Sequence, residues 1–279
     1  MSKVFDQMMS RYPISTVNDR MNAQHEVMQE IALAALFRAG FFNHAAFYGG
    51  TCLRVFYGLE RFSEDLDFSL LEPNTNFNLE NYFDPIVDEF KTYGREVVIT
   101  KKEKKQDTRI ESAFLKDNTN IYNIAFRTEP QVKIKIEIDT NPPQGFSTDL
   151  KLLLLPFSFY VRTFSISDLF AGKMHALLFR QWKTRVKGRD WYDFEWYVRN
   201  NIQLNLSHLV KRTQQSERIY SEGFTENEFK TLLENKIQSL NFDLVRKDVS
   251  PFIKNQRQMD IWSQEYFLQL AEMIAYTKQ

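Results

Sequence analysis

A single cysteine, Cys52, is all the thiol the chain has. That excludes an intramolecular disulfide framework, and no histidine lies at metal-ligand spacing from it. The four histidines, His25, His44, His175 and His208, are scattered, so a zinc site is not expected. Cys52 sits near a helix start, which can lower a thiol pKa, yet without an adjacent histidine it reads as a small buried residue. Glycine and proline are also scarce, nine and eight among 279 residues, and no solenoid-length repeat recurs. Long flexible linkers and repeat architectures are thereby excluded, and disorder is expected only at the extreme ends. Net charge is missing too, because 36 basic residues cancel 36 acidic ones. A nucleic-acid partner would have to be met by a local patch, not by a global field. No apolar run approaches the roughly 18 residues of a membrane span, and Leu152-Leu-Leu-Leu-Pro156 is short and broken by proline. The opening Met-Ser-Lys-Val-Phe-Asp lacks a signal-peptide core, so the expected compartment is the cytoplasm.

What the chain does have is phenylalanine, 25 residues spread from end to end, which reads as core filling. Between Asn18 and Arg38 the apolar positions recur at helical spacing and Ala39-Gly40 ends the pattern, predicting an amphipathic helix. Ala45 to Tyr48 reads as a strand, Gly49-Gly50 as a turn, and Cys52 to Tyr57 as a short helix ending near Gly58. Leu66 to Leu71 is a second strand, and Leu79 to Tyr93 a helix closing at Gly94. Strand-like segments follow at Arg95 to Thr100, Arg109 to Leu115, Ile121 to Arg127 and Gln131 to Asp139. Beyond Pro156 helical spacing takes over, through Ser167 to Arg180, Asp190 to Asn200, Thr225 to Ser239 and Gln258 to Tyr276. The pattern predicts an α+β domain over residues 1–160 and a helical domain over 161–279. Ser158 to Thr163 fits either a last strand or the connector.

Candidate chemistry concentrates in Phe47-Tyr-Gly-Gly-Thr-Cys-Leu-Arg54 and, seven residues on, Arg61-Phe-Ser-Glu-Asp-Leu-Asp-Phe68. On a strand, Asp65 and Asp67 project to one face and Leu66 to the other. Paired carboxylates with a triphosphate suit magnesium, or manganese, and two such ions could stabilise both ends of an in-line displacement. That reaction is nucleotidyl transfer from an NTP. Gly49 and Gly50 leave backbone amides free to approach phosphate at a helix N-terminus, and Thr51 can cap that helix or touch phosphate. Arg61 and Ser63 lead into the aspartates as further nucleotide contacts. Each motif alone reads as a tight turn or a solvated strand edge; their short separation points to a site. In Val132-Lys-Ile-Lys-Ile-Glu-Ile-Asp139 the isoleucines form a core side and Lys133, Lys135, Glu137 and Asp139 a charged side. Glu137 or Asp139 can supply a third metal carboxylate.

Ser167 makes a plausible N-cap for Asp168-Leu-Phe-Ala-Gly-Lys-Met-His-Ala-Leu-Leu-Phe-Arg180, which sets Lys173 and Arg180 on one stripe. Arg180, Lys183, Arg185, Lys187 and Arg189, with Trp182 and no acid between Lys173 and Arg189, form the best candidate RNA patch. Lys101-Lys-Glu-Lys-Lys105 reads as a solvated loop. Asp190 and Asp193 share a helix face, where they can orient Lys173, Arg189 or an acceptor hydroxyl, or simply cap and solvate the helix.

Gly49-Gly-Thr, the Arg61 to Phe68 stretch, Lys135-Ile-Glu-Ile138, Lys173 and Arg189-Asp-Trp-Tyr-Asp193 together resemble the AbiEii/AbiGii toxin family of nucleotidyltransferases. The resemblance implies a polymerase-β-like palm with a mixed sheet followed by a helical domain, and a role as the toxin of an abortive-infection or type IV toxin-antitoxin pair. It implies a cognate antitoxin partner and a tRNA acceptor end as target. It also implies that Gly50 and Thr51 hold the triphosphate, that Asp65, Asp67 and Glu137 hold metal, with Asp139 an extra carboxylate that leaves the third ligand open, and that Lys173 and Asp190 or Asp193 are catalytic. Other readings are a nucleotidyltransferase acting on a protein or small molecule, and a nucleotide-binding regulator without turnover.

Overall fold

The computed structural model describes residues 3–101, 119–127, 132–180, 186–217, 220 and 223–277. The expected strand Arg109 to Leu115, most of the Lys101 to Lys105 cluster, and Lys183 and Arg185 lie outside them.

In chain order the main elements are helices α1 (Lys3–Met9) and α2 (Val17–Arg38), strand β1 (Ala45–Tyr48), helix α3 (Gly49–Tyr57), strand β2 (Asp65–Leu70), helix α4 (Phe83–Thr92), and strands β3 (Val97–Lys101), β4 (Thr119–Phe126), β5 (Lys133–Asp139), β6 (Thr148–Leu153) and β7 (Phe159–Phe164). Six helices follow: α5 (Ile166–Phe179), α6 (Gly188–Arg199), α7 (Leu206–Ser216), α8 (Glu226–Gln238), α9 (Phe242–Val249) and α10 (Gln264–Glu272). The strands form one seven-stranded mixed sheet in the order β3-β4-β5-β2-β1-β7-β6. β2 runs parallel to β5 and β1 parallel to β7, and the remaining neighbours are antiparallel. This is the α+β arrangement expected from the sequence.

α2 begins at a capping box, in which Thr16 Oγ1 accepts from the Asp19 amide at 3.0 Å and the Asp19 carboxylate accepts from the Thr16 amide at 3.0 Å. It packs on β5, β7 and α4, and α1 packs on it. Sandwiched in this way, it is buried on every side from Val27 to Leu36, so it is a central helix more than an amphipathic surface one. The phenylalanines fill the core as expected: Phe68 on β2 meets Phe41 edge-on at 4.9 Å and Phe47 at 5.2 Å. On β5, Ile134, Ile136 and Ile138 are fully buried, which leaves the alternate positions facing away from the core. Buried residues from Phe5 to Ile274 belong to one continuous cluster.

Four details differ from the sequence reading. The expected single helix Gln258 to Tyr276 is a 3-10 turn, Gln256–Met259, followed by the shorter α10. β7 extends to Phe164, so the expected division at residue 160 falls inside a strand of the sheet. The N-cap of α5 is Ser165, whose hydroxyl pairs with Asp168, and not Ser167, which lies inside the helix. The expected helix Leu79 to Tyr93 opens with a 3-10 turn, Leu79–Tyr82, before α4.

Candidate active site

The floor of the site is set by sheet register. Across the parallel β2–β5 pair, Asp65 stands opposite Lys135 and Asp67 opposite Glu137, and on the other side of β2 Tyr48 of β1 stands opposite Asp67. Leu66 and Ile136, between them in sequence, are fully buried beneath. Asp139 lies one row further along, opposite Ser69, where its carboxylate accepts the Asn141 amide at 3.1 Å and feels Arg212. Glu137, not Asp139, is therefore the neighbour of Asp67. Gly49 opens α3 at φ +83°, and a Cβ there would run into the Asp67 carboxylate, which explains a glycine at this position.

Burial, together with repulsion from Glu137 and Asp65, pushes the Asp67 carboxyl up to about 7 against the pull of Arg180 and Lys135. Burial also raises Asp65, with Lys135 opposing and Glu137 and Glu64 adding to the shift. Among the described residues no three carboxylate, imidazole or thiol side chains stand together as a ready-made metal cage. Glu137 is drawn instead to the Lys135 ammonium, which also lies 3.8 Å from Asp65 Oδ2. The donor set still fits a hard divalent cation: its donors are carboxylate oxygens, partly buried, with mutual repulsion that a cation would relieve.

The sign of the Asp67 shift gives a stability prediction. A carboxyl raised on folding keeps its proton in the native state where the unfolded chain has lost it, so metal-free protein loses stability as pH rises from about 4 to about 7. In chelator-treated buffer Asp67→Asn is expected to be more stable than wild type by about 3–4 kcal/mol near pH 8 and close to it near pH 4. Urea unfolding across this range checks it, and a wild-type curve parallel to that of the variant would contradict it.

The wall of the site comes from α5 and α6. Lys173 Nζ on α5 lies 2.7 Å from Asp190 Oδ1 and 2.7 Å from Asp193 Oδ2, both on α6. Arg61, in the loop entering β2, donates from Nε at 2.5 Å and from Nη2 at 2.6 Å to the two Asp193 oxygens. Asp193 is fully buried and Arg61 nearly so. Burial disfavours their charges, but Arg61 and Lys173 outweigh it and hold Asp193 below the usual carboxylate range. Asp190 is likewise held well below that range: burial opposes, and Lys173, Arg180 and Lys187 prevail. Burial draws Lys187 down to about 8, opposed by Asp190 and helped by Arg180, Lys173 and Arg189. Arg180 thus acts on Asp67 and on Asp190 alike, bringing the cationic row and the acidic floor into one electrostatic field.

Several expected site residues have other partners. Arg61, read as a nucleotide contact, is buried against Asp193, and a Cβ on Gly50 would collide with Arg61 Nη2 at 2.5 Å. The small residue at position 50 thus makes room for this guanidinium. Thr51 is buried, donating its hydroxyl to the Asp65 carbonyl at 2.5 Å beside Ser63 Oγ at 3.0 Å, so Thr51 and Ser63 brace the α3–β2 corner and are turned away from the cleft. Arg189, read as an RNA contact, pairs with Glu64 at 3.3 Å and lies 4.0 Å over the Phe252 ring. Arg180 is exposed and Lys187 half-buried. The cysteine reading agrees with the structure: Cys52 is buried, and burial pushes its thiol well up.

The sequence reading missed Gln29 and Tyr48. Gln29, fully buried on α2, donates to the carbonyls of Ser63 at 3.2 Å and Glu64 at 2.9 Å, fixing the entry to β2. Tyr48 stacks on Phe164 at 5.4 Å and feels Asp139, Asp67 and Glu137.

Comparison with known proteins gives this geometry its context. The family described as nucleotidyl transferase AbiEii toxin, type IV TA system, matches residues 31–270. The chain belongs to the AbiEii family. It is a nucleotidyltransferase, which favours turnover over nucleotide binding alone. The structure is similar to JHP933 from Helicobacter pylori, with a TM-score of 0.51, 16% identity and 90% of each chain covered. It also aligns with MenT4, a nucleotidyltransferase toxin from Mycobacterium tuberculosis, with a TM-score of 0.49 and 16% identity over 96% of this chain and 99% of that one. Curated proteins give no match. For this AbiEii chain, a type IV toxin-antitoxin family implies an NTP substrate and an antitoxin partner. Among the described residues no helix is long and apolar enough to cross a membrane.

Proposed function

We propose that this AbiEii protein transfers an NMP from an NTP to a hydroxyl of RNA, a tRNA acceptor end in particular, in a magnesium-dependent reaction in the cytoplasm. The observation that carries this reading is Asp67 standing opposite Glu137 across β2 and β5, with Asp65 two residues before it on the same face and Arg180 near enough to act on Asp67. Asp65, Asp67 and Glu137 would hold magnesium, or manganese, which when bound neutralises triphosphate charge. The acceptor oxygen attacks the α-phosphorus, the bond to the β-phosphate oxygen breaks, pyrophosphate leaves, and the hydroxyl proton passes to the carboxylate cluster. Because Asp190 and Asp193 are both held as carboxylates by Lys173, we assign them to orienting that lysine and not to proton abstraction. Gly49 and Gly50 present the start of α3 to phosphate, and exposed Arg180 with Lys187 receives the RNA backbone. In this reading the chain through the end of β7 at Phe164 acts as the palm, and the helices from Ile166 onward act as a cover contributing Lys173.

The acceptor is identified by incubating the protein with α-labelled NTPs and magnesium together with total RNA, with protein extract, or with neither. Label is expected on RNA of tRNA size and to fall steeply with added salt. Label confined to protein would overturn the RNA assignment while keeping nucleotidyl transfer.

A further inference from the structure

Asp65, Lys135, Asp67 and Glu137 make a square where β2 and β5 run side by side: Asp65 beside Lys135, Asp67 beside Glu137. Three corners are acids and the fourth is a cation. Lys135 and Glu137 are two apart on one strand and so share a face, while Asp65 faces Lys135 across the pair. The ammonium contacts Glu137 Oε1 and lies 3.8 Å from Asp65 Oδ2, holding a positive charge between the two diagonal carboxylates. Lys133, one row outward on the same face, is exposed, whereas the Lys135 side chain is 35% accessible. Lys135 is thus held against its acidic neighbours while part of its side chain stays in water.

We infer that the Lys135 ammonium takes the place of one of the two divalent ions that such a carboxylate set can hold, so that this site binds one divalent ion on the Asp65 and Asp67 side. This inference rests on the metal-dependent reading proposed above. Two ions in a nucleotidyl-transfer site lie about 3.5–4 Å apart and share the carboxylates between them. Here the second position, between Asp65 and Glu137, is filled by a covalently tethered cation that neither exchanges nor is removed by chelators.

The test counts ions. Purified wild type, Lys135→Arg and Lys135→Met are mixed with one equivalent of a non-hydrolysable NTP analogue and titrated with Mn2+, with bound ion measured by electron paramagnetic resonance and folding checked by circular dichroism. Wild type and Lys135→Arg are expected to bind one Mn2+ per chain and Lys135→Met two. Two ions on wild type, or one on folded Lys135→Met, would overturn the inference while leaving metal dependence intact. If Asp67→Asn removes no ion from wild type or from Lys135→Met, metal binding at these carboxylates fails, and the inference falls with it.

Discussion

Asp193→Leu is expected to lower stability by about 3–5 kcal/mol, the cost of leaving a buried charge without its partner. Asp193 is fully buried and receives two hydrogen bonds from Arg61 and an ion pair from Lys173. Removing it strands the Arg61 guanidinium beneath Gly50 and leaves Lys173 with Asp190. Arg61→Met alone should cost a similar amount, because Asp193 then keeps one cation in place of two. The pair Arg61→Met with Asp193→Leu should cost clearly less than the sum, since apolar groups of similar volume escape the desolvation penalty that each single variant incurs. Urea unfolding of the four proteins measures this. Strict additivity would mean that the two side chains do not act as a unit. The network joins the loop entering β2 to α5 and α6, so its loss should also loosen the helical wall over the acidic floor.

Asp67→Asn is expected to reduce transfer by on the order of 10³-fold or more while leaving the protein folded. Asp67 occupies the middle of the floor, with Glu137 on one side and Tyr48 on the other. Asparagine keeps the shape and removes the charge that would hold the cation. Asp139→Asn makes the useful contrast. That residue lies one row away, tied to the Asn141 amide and to Arg212, so its loss should change turnover by less than about tenfold. Equal losses in the two variants would mean that the row with Asp67 and Glu137 is not the reacting one.

Local patterns made much of this legible. Period-two alternation in Asp65-Leu-Asp and in Lys135-Ile-Glu is enough to place the carboxylates of each strand on one face, because a strand with a buried side admits one register. The β1, Gly-Gly, α3 order was equally plain. What the sequence concealed was partner choice. Arg61 and Ser63 lie beside the aspartates in sequence, yet the partner of Arg61 is Asp193, 132 positions away, and no local pattern encodes that pairing. β6 was hidden for another reason. It is an edge strand with Leu150 and Leu152 exposed, so apolar residues fall on its outer side and blur the alternation that marks a strand. The cap of α5 was misplaced because Ser165 and Ser167 are both good caps; Asp168, whose carboxylate accepts from the Ser165 hydroxyl at 2.7 Å and from the Ser147 amide at 2.8 Å, decides for the first.

The most direct measurement of the central claim follows each phosphate separately. The protein is given NTP labelled at the α-phosphate in one reaction and at the γ-phosphate in another, with magnesium and total RNA, beside Asp67→Asn. The account predicts α-label on the acceptor, γ-label recovered only in pyrophosphate, and neither transfer nor pyrophosphate release by Asp67→Asn. Transfer of γ-label to the acceptor, or wild-type levels of α-label transfer by the folded variant, would contradict it.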